Sequence, residues 1–189
     1  NNPTGTVVSD WIVKSFCQEA SKKTLVYVDE AYLEFLEPAQ QKSMVELVQN
    51  NPNVVVSKTF SKIYGLAGLR IGYLIGHPDT LKKIAQYGDT ISPSQTAIAA
   101  AKASMGDEDF MKLTRDRNSV ARKVLTDFLD QKKIFYGKSM TNVVLFPAPK
   151  DGKKILSQLD EKGFLIRVWD YQGKEWCRVS IGTQDEMKG

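Results

Sequence analysis

Short apolar runs bounded by turn residues alternate with amphipathic segments along most of the 189-residue chain. The runs at residues 24–28 and 53–57 are almost continuously apolar, as in strands that are covered on both faces. Apolar residues at helical spacing mark the segments between them as helices. The predicted strands are residues 24–28, 53–57, 70–76, 142–146, 164–168 and 176–181, and the predicted helices are residues 10–20 (with Ser9 as the N-cap), 40–49, 78–87, 94–104, 107–131 and 151–161.

The order of these elements predicts two domains of an α/β protein. Residues 1–105, where strands and helices alternate, form an α/β unit. Residues 106–189 begin with the long helix and continue into a small α+β lobe.

Composition and charge exclude several classes of protein. No apolar run approaches the roughly 20 residues that a membrane helix needs, which predicts a soluble globular chain without a membrane partner. The net charge is +4, but the basic residues are scattered and not interleaved with aromatic residues, so nucleic-acid binding is not expected. Two cysteines, Cys17 and Cys177, lack the spacing of a metal site or a disulfide framework, which favours reduced core positions in a cytoplasmic protein.

The segment from Thr59 to Arg70 gathers groups that suit a phosphorylated carbonyl ligand. The hydroxyls of Thr59 and Ser61 and the guanidinium of Arg70 are groups that hold a phosphate ester. Lys62, between them, offers an amine that can add to an aldehyde. Lys58, four residues earlier, is a second candidate for the reactive amine.

Asp29 adds a carboxylate at the end of the strand at residues 24–28, where ligands bind in open α/β sheets. This carboxylate can hold a ring nitrogen protonated, and Tyr32, three residues on, can reach a neighbouring ring oxygen. Pyridoxal phosphate (PLP) requires a lysine amine, an acidic partner for its ring nitrogen and a phosphate cup. The sequence therefore predicts PLP as the cofactor and no metal.

Five motifs in succession resemble the signatures of the class I/II (fold type I) PLP-dependent aminotransferases, most of all the histidinol-phosphate aminotransferase group. They are residues 1–5 (NNPTG), 29–32 (DEAY), 57–62 (SKTFSK), 66–73 (LAGLRIGY) and 178–182 (RVSIG). The resemblance implies the second half of the family's PLP-binding large domain, with a mainly parallel sheet and helices on both faces, followed by a truncated small domain. It also implies that the N-terminal half of the fold is missing and that these 189 residues alone are inactive.

The resemblance assigns a role to each candidate residue. Lys62 is expected to form the internal aldimine and to move the substrate proton, because the family places its phosphate-binding arginine eight residues beyond this lysine, and Arg70 fits Lys62 but not Lys58. The implied cofactor ligands are Asp29 at the ring nitrogen, Tyr32 and Asn2 at the phenolic oxygen, and Thr59, Ser61 and Arg70 at the phosphate; the implied substrate ligands are Arg178 at the α-carboxylate, Asn2, and Arg167 near the side chain.

The implied function is transfer of an amino group between a small-molecule donor and 2-oxoglutarate by a homodimer. Histidinol phosphate or an aromatic amino acid is the expected donor. One alternative is a PLP-dependent decarboxylase similar to threonine-phosphate decarboxylase, which release of CO₂ would distinguish. A second alternative is a non-catalytic fragment or binding module.

Overall fold

The computed structural model describes residues 1–88 and 92–188. The chain divides into two compact units, one of residues Val8–Lys112 and one that combines Asn1–Val7 with Leu113–Gly189. The helices of the described residues are α1 (Asp10–Ala20), α2 (Val45–Val48), α3 (Pro78–Ala85), α4 (Gln95–Ser104), α5 (Glu108–Gln131) and α6 (Gly152–Asp160). The strands are β1 (Val26–Asp29), β2 (Val54–Thr59), β3 (Gly72–Gly76), β4 (Val143–Pro147), β5 (Arg167–Tyr171) and β6 (Lys174–Ser180).

The first unit, Val8–Lys112, is built on a mixed sheet of strand order β1-β2-β3. β1 runs parallel to β2, and β3 runs antiparallel to it. The connection from β2 to β3 contains a single 3₁₀ turn, Ala67–Leu69, and no crossover helix, so the chain returns antiparallel. β2 is the central strand, and Val54, Val55 and Val56 are completely buried, as their continuous apolar run predicts.

The second unit contains an antiparallel sheet of strand order β4-β6-β5. Val168 on β5 lies against α6, since a Cβ added to Gly152 would be 2.7 Å from its side chain. Side chains alternate between the faces of a strand, so Arg167 and Trp169 project from the opposite face. Their cross-strand partners on β6 are Arg178 and Trp176. One face of this sheet therefore carries two arginines and two tryptophans.

The N-terminal segment is part of the second unit. The amide of Met140 donates to the carbonyl of Gly5 at 2.9 Å. Gly5 has a positive φ of +69°, and a Cβ there would lie 2.8 Å from the carbonyl oxygen of Val143. Only glycine fits this close approach. The division between the units falls inside α5, after Lys112, whereas the domain assignment of 1–105 and 106–189 stays a prediction.

Three local predictions from the sequence are wrong in detail. The helix expected at residues 40–49 is reduced to α2, because the carboxylate of Glu30 accepts from the Met44 amide at 2.7 Å and fixes the chain just before it. The strand expected from residue 164 begins at Arg167, after a left-handed Gly163. Ser9 precedes α1 but its hydroxyl makes no capping hydrogen bond.

Both cysteines occupy core positions, as predicted. Cys17 and Cys177 are 1% and 0% exposed, and neither forms a disulfide. Burial raises the pKa of each thiol, and Glu30 and Glu175 respectively add to the effect. Among the helices described, none has both the length and the apolar composition required to cross a bilayer.

Candidate functional site

The ends of β1 and β2 bring Asp29 beside a hydroxyl. Parallel pairing places Asp29 opposite Ser57, and the Ser57 hydroxyl donates to Asp29 Oδ1 at 3.2 Å. The Ala31 amide donates to the same oxygen at 3.0 Å. These two bonds fix the carboxylate of an exposed residue through its Oδ1.

An open pocket of about 290 Å³ lies next to this carboxylate. Four predicted cofactor ligands line it, namely Asp29, Thr59, Ser61 and Arg70. Gly72 also lines it, and a Cβ at Gly72 would lie 2.8 Å from the Lys58 carbonyl, so β3 approaches β2 closely only because this residue is glycine. The pocket thus has a carboxylate together with two hydroxyls and a guanidinium.

The loop after β2 is held by its own apolar residues. Phe60 and Ile63 are buried, and they anchor the chain on both sides of Ser61 and Lys62. The Thr59 hydroxyl accepts from the Ser61 amide at 3.1 Å, which tightens the turn. Arg70 follows in the left-handed conformation, with φ +53°, and its guanidinium donates to the Ala67 carbonyl at 2.9 Å.

Lys62 and Tyr32 are brought together. The ammonium of Lys62 lies 5.2 Å from the centre of the Tyr32 ring, within range of a cation–π interaction. The Tyr32 ring packs against the buried cluster of Phe35, Ile63 and Met111. Lys62 is half-buried, and neither Lys62 nor Tyr32 is among the residues that line the pocket described above.

Lys58 has a different environment from Lys62. Its ammonium binds Glu34 Oε1 at 2.7 Å and Glu30 Oε2 at 2.9 Å. Burial by itself would lower the pKa of Lys58, but the hydrogen bonds to the two carboxylates outweigh burial and raise the pKa above its ordinary value. A lysine held as the ammonium ion is a poor nucleophile. This ion pairing argues against Lys58 as the reactive amine.

The remaining predicted residues lie in the second unit. Arg178 Nη1 donates to Asn2 Oδ1 at 3.0 Å, which joins the first motif of the chain to the last. The Arg178 guanidinium carbon lies 5.3 Å from the centre of the Trp169 ring. Arg167 is paired across the strands with Arg178 and is exposed. Arg178 Nε is buried and has no hydrogen-bond partner among the described residues.

Sequence reasoning missed several residues that shape the site. Ser57 was signalled by its position, since two parallel strands that end together place Ser57 beside Asp29. Glu30 and Glu34, which bind Lys58, had no spacing that would identify them. Trp169, the third residue of β5, belongs to no motif that would identify it as a neighbour of Arg178.

Known proteins share this fold. Residues 1–189 match the family model described as aminotransferase class I and II. A histidinol-phosphate aminotransferase of Lysinibacillus sphaericus (strain C3-41) is 32% identical over 97% of this chain and 50% of its own length. The crystal structure of histidinol-phosphate aminotransferase from Sinorhizobium meliloti in complex with pyridoxal-5'-phosphate is 30% identical, with a TM-score of 0.88 over 99% of this chain and 52% of that one.

The fold also occurs in a protein with a different named activity. The structure of L-threonine-O-3-phosphate decarboxylase from Porphyromonas gingivalis is 22% identical, with a TM-score of 0.82 over 100% of this chain and 59% of that one. At this identity the likeness concerns the fold alone.

The α/β fold of the chain is that of fold type I PLP-dependent enzymes. The chain belongs to the class I and II aminotransferase family. It spans about half the length of the curated relatives it matches.

Proposed function

We propose that this chain is the part of a PLP-dependent aminotransferase that holds the cofactor and binds the substrate carboxylate. The observation that carries the proposal is the pocket where Asp29, Thr59, Ser61 and Arg70 converge. Its donors suit PLP, because hydroxyls and a guanidinium bind a phosphate and a carboxylate pairs with a protonated ring nitrogen. When bound, PLP supplies an electron sink for the bonds of the substrate Cα.

Each side chain then has a task at a defined atom. Asp29 Oδ2 would accept a hydrogen bond from the ring nitrogen and keep that nitrogen protonated, while Ser57 and the Ala31 amide hold Oδ1. Lys62 Nζ would hold the cofactor by condensing with its aldehyde, with loss of water, and the same amine would take the proton from the substrate Cα. Tyr32, beside Lys62, donates to the phenolic oxygen of the cofactor, and Lys58 stays paired with its carboxylates.

The second unit supplies the substrate contacts. Arg178 presents a planar fork that binds the α-carboxylate with two parallel hydrogen bonds. Asn2, bonded to Arg178, fixes its orientation and donates to the phenolic oxygen of the cofactor. Arg167, next to Arg178 across the strands, binds the side chain of the donor.

We propose histidinol phosphate or an aromatic amino acid as the donor and 2-oxoglutarate as the acceptor. Two curated relatives at 32% and 33% identity are named histidinol-phosphate aminotransferases, and these names support this choice over decarboxylation. The proposal includes assembly of the whole protein as a homodimer in the cytoplasm.

Reduction of the cofactor complex tests the proposal directly. The full-length polypeptide that contains this chain is incubated with PLP, reduced with borohydride and mapped by mass spectrometry. We expect the label on Lys62, its loss in Lys62→Ala, and its retention in Lys58→Arg. Label on Lys58 or spread over surface lysines would contradict the assignment. Incubation with donor and 2-oxoglutarate then separates formation of glutamate, which we expect, from release of CO₂.

A further inference from the structure

A largely buried ionic cluster joins the turn after β1 to the C-terminal end of β2. It consists of Glu30, Glu34 and Lys58, whose side chains are 7%, 13% and 12% exposed. The lysine contacts both carboxylates at hydrogen-bond distance. The Glu30–Lys58–Glu34 cluster is therefore a largely buried charge network. Burying such a network costs free energy unless each charged group has a hydrogen-bond partner.

The Glu30 carboxylate accepts hydrogen bonds from other groups besides Lys58. Its Oε1 accepts from the Met44 amide at 2.7 Å, and its Oε2 accepts from the Ser43 hydroxyl at 2.7 Å. Its own amide donates to the Ser57 carbonyl at 3.1 Å. Glu30 is thus held by two separate segments, residues 43–44 and residues 57–58 of β2, so its position fixes the turn in which it stands.

The cluster lies between the groups of the candidate site. Asp29 immediately precedes Glu30, and Tyr32 lies between Glu30 and Glu34. On the other side, Lys58 is followed along the chain by the phosphate and cofactor residues from Thr59 to Lys62. The ion pairs therefore connect the turn that carries Asp29 and Tyr32 to the strand that leads to Lys62.

We propose that Lys58 is a positioning residue whose two ion pairs set the distance between Asp29 and the cofactor lysine. This inference rests on the proposed function of the pocket. Lys58 takes no part in the chemistry itself. It acts by keeping two carboxylates in the same place, one on each side of Tyr32.

Removal of the ammonium leaves two buried carboxylates near each other, and like charges at this distance repel. Protonation of one carboxylate relieves the repulsion, so we expect the turn to be disturbed less at low pH than at high pH. Other titratable groups that interact electrostatically with the cluster are Cys17, Tyr64 and Tyr73, and Glu108 interacts with Tyr64. Burial raises the pKa of Tyr64 and Tyr73, so both stay neutral near pH 7.

The test compares Lys58→Met, Lys58→Arg and Lys14→Met in the full-length polypeptide. Lys14 forms an ion pair of similar length, 2.7 Å to Glu46, but at an exposed position, and so serves as the matched control. PLP dissociation constants are measured by absorbance from pH 6.5 to 8.5. Hydrogen exchange over residues 29–34 is measured without PLP by mass spectrometry.

We expect Lys58→Met to weaken PLP binding by about 10- to 100-fold at pH 8.5, the size seen when partners that orient a ligand are removed. The loss should be smaller at pH 6.5, and residues 29–34 should exchange faster. Lys58→Arg should restore both properties, and Lys14→Met should match the wild type. Should Lys58→Met fail to fold, Glu34→Gln, which leaves the Glu30 pair intact, should still speed exchange at residues 29–34.

Several results would overturn the inference. Wild-type PLP affinity in Lys58→Met would do so. A loss of affinity that is the same at every pH, or one that Lys58→Arg does not restore, would also do so, because such a loss indicates that Lys58 acts only through packing. Unchanged exchange in Glu34→Gln would have the same meaning. Failure of the wild-type protein to bind PLP would instead remove the proposed function and this inference together, so the two failures are distinguishable.

Discussion

The two sheets hold their candidate residues in different ways. In the first unit the chemistry lies where strands end, with Asp29 closing β1 and Thr59 closing β2. In the second unit Arg178 lies inside β6, and Arg167, the first residue of β5, is its cross-strand partner on the same face. The position of a side chain at the end of a strand depends on the turn that follows, whereas the position of a side chain that faces a cross-strand partner depends on the strand register. Hydrogen bonds therefore determine where the candidate residues of the first unit lie, and strand pairing determines where those of the second unit lie.

The largest expected loss of activity is that of a substitution at Asp29, at the end of β1. Asp29→Asn keeps the shape of the side chain but removes the charge that holds the proton on the cofactor ring. We expect the rate of amino transfer to fall by about 10²- to 10³-fold, the size typical of one electrostatic partner of a reacting group. Stopped-flow measurement of the first half-reaction checks this. The exposed Asp127→Asn on α5 is the control, and an equal loss there would argue against a specific role.

A change within β6 should have a smaller effect and a different signature. Arg178→Lys keeps the charge but loses the fork, so binding of the α-carboxylate should weaken by about 10- to 100-fold, as for a charged hydrogen bond. KM for the donor should rise while borohydride labelling at Lys62 is unchanged. The exposed Arg117→Lys serves as control. Loss of labelling in Arg178→Lys would contradict the separation of the two sites.

The smallest effect should come from the aromatic residue beside Arg178. Trp169→Leu removes the ring that lies 5.3 Å from the guanidinium. A cation–π contact of this kind contributes about 0.5–1 kcal/mol, so KM should rise about two- to fivefold. Tyr171→Leu, two positions on along the same face of β5, is the matched control. An equal rise in both variants would mean that general packing, not the contact with Arg178, is responsible.

The sequence predicts element types better than element limits. The buried runs around Val54–Val56 and Val143–Leu145 are unambiguous because both faces of these strands are covered. α2 could not be foreseen as a short helix, because its start is set by a carboxylate that is distant in sequence, Glu30. The sequence also did not predict that β3 runs antiparallel to β2. This direction depends on whether the segment between the two strands forms a crossover helix.

The structure brings most, but not all, of the predicted site residues together: Lys62 and Tyr32 lie near each other but do not line the pocket. Asp29, Thr59, Ser61 and Arg70 line one pocket, and Asn2 binds Arg178. Motif spacing predicted these residues because they come directly after strands or within them. The residues that support them, such as Glu30 and Ser57, depend on register and burial, which a single sequence does not encode in any visible spacing.

The attachment of the first seven residues to the second unit has a consequence for biosynthesis. Asn2 and Arg178, joined by a hydrogen bond, are 176 positions apart, whereas the first unit is a continuous stretch of chain. On the ribosome, the first unit has all its own residues available before the second has received its last strands. Closing so long a loop costs entropy that is recovered only when β6 has emerged. Arg178 and Asn2 therefore meet late, after Lys62 has already left the exit tunnel.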